Sequence, residues 1–190
     1  MRIILLSLTL IISAFTFAQN QEKLWMDKVT AEGTRTIGTF YHYINNGAFD
    51  PQPVGFSFWA MINENRTTYY LSIKMRNVTF PKGGALLIKT GTDEILEFAQ
   101  LYEEYETKST HVIPQQGVIE MGTALYESSI DVYEQLLKEG IKKVRIETSV
   151  GLIDNEYKPK KIEKYKTDLG IMLNLIKTES QKKKDIYSDF

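Results

Sequence analysis

The stretch that most constrains this chain is Ser128 to Thr148, where the period of the apolar residues changes once. Ile130, Tyr133, Leu136 and Leu137 share one face of a 3.6-residue repeat, which predicts an amphipathic helix. Ser128 is the expected N-cap, with Asp131 three residues on in the acidic position of a capping box. Gly140 supplies the left-handed residue that stops a helix at little cost. The period then becomes two. Val144, Ile146 and Thr148 alternate with Lys143, Arg145 and Glu147, which predicts a strand with one buried and one charged face.

The segments before this unit read as β structure. Thr36 to Ile44 alternates, with Phe40, His42 and Ile44 on one face and Thr39, Tyr41 and Tyr43 on the other. Val54 to Ile62 sets Phe56, Phe58, Ala60 and Ile62 against Ser57, Trp59 and Met61. After the turn residues 63–66, Thr67 to Val78 sets Tyr69, Leu71, Ile73 and Met75 against Tyr70, Ser72, Lys74 and Arg76. Two alternating runs across a short polar turn predict a hairpin. Ala85 to Thr90, Ile95 to Gln100 and Gly117 to Tyr126 are further strands, and His111 to Pro114 is extended. Leu101 to Glu106 fits helix and strand equally. Val150 to Tyr157 reads as a loop. Pro159 opens a long helix whose stripe is Ile162, Tyr165, Leu169, Met172, Leu173 and Ile176. The expected fold is therefore α+β: an antiparallel β meander or sandwich-like sheet, then a helix, a strand and a long C-terminal helix packed on the sheet.

Residues 1–18 have a basic start, a short apolar run and small residues near Ala18, the pattern of a secretory signal peptide. The run is shorter than the roughly 20 apolar residues that a membrane span needs. Residues 19–190 then form a single α+β domain, with 19–32 a mobile arm or a first edge strand. The expected location is the periplasm or the extracellular space. With no cysteine in the chain, there is neither a disulfide framework nor a thiol nucleophile. The net charge of −1 gives no footprint for nucleic acid. Acids outnumber bases through residue 157, whereas residues 158–184 are rich in lysine. That helix could meet an anionic membrane surface, but a solvated lysine face over a packed apolar stripe is the simpler expectation.

The candidate chemistry is sparse. His42 and His111 have no second histidine or HExxH frame nearby. The acids Glu103, Glu104 and Glu106 lack the spacing and glycine of a calcium loop. No cofactor is called for. Four rings, Tyr41, Tyr43, Trp59 and Tyr70, fall on the strand faces opposite the aliphatic ones, and would make an exposed aromatic binding face for a glycan or protein partner. The reading that follows is an exported, soluble, non-catalytic binding or envelope-associated module. The alternatives are a periplasmic inhibitor or immunity-type protein and, behind it, a metal-dependent hydrolase.

Overall fold

The structure, a computed structural model, describes residues 24–44, 54–64, 66–103, 108–113 and 117–188. The signal-like stretch lies outside them, as do Glu104 and Glu106. Eleven strands are described: β1 (Met26–Val29), β2 (Arg35–Gly38), β3 (His42–Tyr43), β4 (Gly55–Ile62), β5 (Thr67–Arg76), β6 (Ala85–Thr90), β7 (Ile95–Ala99), β8 (Lys108–Ile113), β9 (Gly117–Ser128), β10 (Ile141–Thr148) and β11 (Gly151–Glu156). Two helices accompany them, α1 (Ile130–Glu139) and α2 (Pro159–Ser188). All the pairings are antiparallel, and the α+β architecture is as the patterning predicts.

The strands form two sheets. The larger runs β1-β2-β4-β5-β9-β8, with β3 also paired to β4; the smaller runs β11-β10-β6-β7. They are joined where the chain leaves β7: Gln100 bridges Tyr126, and the Leu101 amide donates to the Leu125 carbonyl at 3.0 Å. A second tie lies at the tip of the β10–β11 hairpin, where the Ser149 amide donates to the Thr79 carbonyl at 3.0 Å. The inner faces of both sheets and both helices share one core, which includes Phe56, Phe58, Leu71, Ile73, Leu86, Ile88, Tyr126, Val144 and Ile146. Burying each large side chain contributes about 1.5–3 kcal/mol.

α2 closes that core. Tyr165, Leu169, Met172, Leu173 and Ile176 are all buried, and Ile162 is half-buried, so the stripe packs on the protein body. The Tyr165 hydroxyl accepts from the Ile141 amide at 2.6 Å and donates to the Leu136 carbonyl at 3.3 Å. One phenol thus ties α2 to the end of α1 and the start of β10.

Three local expectations need correction. The cap of α1 is Ser129, whose side chain accepts from the Val132 amide; Ser128 is the last residue of β9 and pairs with Tyr69. The segment 151–156 is a strand, not a loop: β10 and β11 are joined by a tight turn in which Gly151 takes φ 111°. Thr36 to Ile44 is not one uninterrupted strand. Gly38 pairs with Trp59, but His42 pairs with Phe56. Four steps on one strand therefore face three on the other, and one residue is extra, as in a β-bulge. The bulge reverses the alternation. Ile37 and Thr39 point inward before it, His42 and Ile44 after it, and Phe40 is left 44% exposed instead of sharing the inner face.

Candidate functional site

The four rings singled out from the sequence come together on the outer face of the larger sheet. Trp59 on β4 and Tyr70 on β5 are direct register partners, and Tyr43 lies opposite Gly55. Tyr41 joins them from the bulge. Each of the four is half-buried. Ser57 and Ser72, also register partners, are almost fully buried although they face outward, because rings cover them.

Two of the rings are fixed by their polar ends. The Trp59 indole N–H donates to Ser57 Oγ at 2.7 Å. The Tyr41 hydroxyl and Ser72 Oγ share a hydrogen bond of 2.8 Å. Burial raises the pKa of the Tyr41 phenol, and the bonds to Ser72 and Ser57 partly oppose that rise. The Lys74 ammonium sits 5.6 Å from the Tyr41 ring centroid, within cation–π range.

Two glycines make room for the rings. A Cβ built on Gly55 would stand 3.3 Å from both the Tyr41 and Tyr43 rings, and one on Gly38 would stand 3.6 Å from the fused bond of Trp59. The indole and phenol rings thus lie across bare backbone; a Cβ at Gly55 would crowd the two tyrosines, whereas one at Gly38 would only touch the indole.

A fifth ring, not anticipated from the sequence, completes the group. Trp25, just before β1, has its centroid 5.2 Å from that of Trp59 and 6.3 Å from that of Tyr41, and is 46% exposed. Its only signal in the sequence is an aromatic beside Leu24 in an otherwise unpatterned stretch. Met61, two residues along β4 on the same outward side, is 42% exposed.

The platform is braced from within the core. Tyr133 of α1 is fully buried, and its hydroxyl meets the backbone of the Trp59–Tyr70 pair. It lies 2.7 Å from the Trp59 carbonyl and 2.6 Å from the Tyr70 carbonyl, with amide approaches of 3.0 and 3.2 Å. One proton serves two acceptors, while the oxygen receives the two amides. The helix predicted as the centre of the chain therefore positions the two residues whose side chains form the middle of the aromatic face.

The other candidates are dispersed. His42 is buried against α2, with Nε2 2.9 Å from Asp168 Oδ2, although the ring N–H is not aimed along that line. His111 lies on β8 at the far edge of the sheet. Glu103 is paired with Lys82. Among the described residues no group of three or more His, Asp or Glu side chains is placed to hold a metal ion, and no helix is long and apolar enough to cross a membrane. The chain matches no protein-family model, no curated protein and no solved structure.

Proposed function

We propose that the protein is an exported, non-catalytic binding module that takes its ligand on the aromatic outer face of the larger sheet. The observation that carries this reading is the group of Trp25, Tyr41, Trp59 and Tyr70, with two rings anchored by buried hydroxyls and a third exposed above them. Rings held in advance lose little conformational freedom on binding. Their faces suit the apolar C–H face of a sugar, and an extended envelope glycan is the ligand class that fits them best. The basic, apolar and then small residues of 1–18 support export.

The test is direct because both tryptophans of the chain lie in the platform. Titration with envelope glycan fragments is expected to change the intrinsic fluorescence saturably, and Trp59→Ala or Trp25→Ala to weaken binding at least about tenfold. Full affinity in both variants would overturn the reading. An envelope enzyme that is captured and inhibited equally well by the Trp25→Ala variant would replace it with the inhibitor alternative.

A further inference from the structure

β5 carries the aromatic face of the larger sheet on into a charged one. Alternation sends Tyr70, Ser72, Lys74 and Arg76 to the same outer side, at about 7 Å per two-residue step. The backbone positions of Tyr70 and Arg76 are therefore about 20 Å apart. Register sets Lys74 between Gly55, which has no side chain, and Thr123, and it sets Arg76 opposite Met121. Both cations are half-buried.

The charge on this face is one-sided. From β1, β2, β4, β5 and residues 120–128 of β9, alternation and register send Lys28, Lys74 and Arg76 outward, with one acid, Glu127. Glu127 stands opposite Tyr70, four residues back along β5 from Lys74, and its carboxylate is held by Arg66 at 3.2 Å. Glu120 points to the other side of the sheet, where Lys108 holds it at 2.8 Å. Glu64 lies in the β4–β5 turn, at the far end of that hairpin from Lys74. Among the described residues Lys74 and Arg76 take part in no ion pair, and the Lys74 ammonium lies beside the Tyr41 ring.

We propose, on the reading that the rings seat a glycan, that the glycan is acidic: a chain of ring-carboxylated sugars whose apolar faces lie on Trp59 and Tyr70 and whose carboxylates meet Lys74 and Arg76. Two like charges side by side on one strand repel in the free protein, and a carboxylate between them relieves that repulsion. The Arg76 guanidinium offers the planar fork that takes both oxygens of a carboxylate. Lys74 stands at the join between the rings and the cations, so a chain running along β5 meets aromatic faces first and charge next.

The probes are cellohexaose, a neutral hexamer of glucose, and the hexamer of glucuronate with the same linkage, which differs from it in the carboxylates. Tryptophan fluorescence of the whole protein is expected to show the glucuronate hexamer binding at least about tenfold tighter than cellohexaose. Raising the salt concentration should shrink that ratio. The Lys74→Gln/Arg76→Gln variant should bring the ratio within about threefold, whereas Lys74→Arg/Arg76→Lys, which keeps both charges, should retain the preference. Cooperative thermal unfolding of both variants checks their fold. Equal affinity for the two hexamers, or a preference that survives in the glutamine variant, would overturn the acidic assignment and leave the aromatic reading standing. Saturable binding of neither hexamer would overturn both. Poly-glutamate bound as tightly as the glucuronate hexamer would overturn the glycan in favour of an acidic protein.

Discussion

The hydroxyl of Tyr133 does the most for its size, because it meets four backbone groups inside the core. Tyr133→Phe keeps the ring packing against Phe58 and Tyr69 and removes only that oxygen. It is expected to cost about 1–3 kcal/mol in denaturant unfolding, since those groups lose a partner in a dry site. Tyr133→Ala should cost about 3–5 kcal/mol by adding a cavity. The buried phenols also set an alkaline limit. Burial raises the pKa of Tyr126, Tyr133, Tyr157 and Tyr165. Below the ordinary tyrosine value near 10, both folded and unfolded chains keep these protons, and full stability is present. Above it the unfolded chain ionises first, so stability falls by about 1.4 kcal/mol per pH unit for each such group. A spectrophotometric titration should therefore show these phenolates appearing together with unfolding; four separate, reversible ionisations in a folded chain would contradict it. At this scale the sequence was half legible. Spacing put Tyr133 on the buried face of its helix, but the partners of its hydroxyl lie more than sixty residues away on backbone that carries no side-chain signature. Trp25 was missed for a related reason, because it sits before a four-residue edge strand too short to show alternation.

The bulge between β2 and β3 is the element on which the aromatic face turns. Removing the extra residue would make a continuous strand of the same hand, in which Tyr41 and Tyr43 still face outward and His42 and Ile44 still face inward. Deletion of Phe40 is accordingly expected to preserve cooperative unfolding, with a loss of no more than about 2 kcal/mol. Loss of the fold on this deletion would mean that the bulge itself is required. A tighter constraint lies on β9, where a Cβ at Gly122 would come within 2.1 Å of the Val78 carbonyl oxygen. Backbone cannot yield as a flexible side chain can. Gly122→Ala should destabilise by about 2–4 kcal/mol, which thermal unfolding would reveal as a lowered midpoint. Regular elements with one wet face, β4, β5 and β10, were readable as strands because their alternation is unbroken. The bulge was not, since one inserted residue leaves composition untouched and changes only parity. β11 was hidden because it is an edge strand that contains Asp154 and Asn155, residues that sequence statistics assign to turns. Asp154 is there to meet the Arg145 guanidinium across the ladder.

At the scale of the whole molecule, α2 seals the body. Deleting residues from Pro159 onward would uncover Phe58, Tyr133 and Tyr157, whose rings contact Tyr165 directly or through one another. The truncated chain is expected to aggregate or to keep far-UV circular dichroism while losing near-UV signal; a cooperative transition with an unchanged midpoint would contradict this role. The position of α2 in the chain has a consequence in time. Its anchoring residues, Tyr165 to Ile176, follow every strand, so a chain emerging from the ribosome in order can form local hairpins but cannot close its core until that helix has left the tunnel. The core is therefore left open until α2 has been made, and every described strand waits on residues that are synthesised after it.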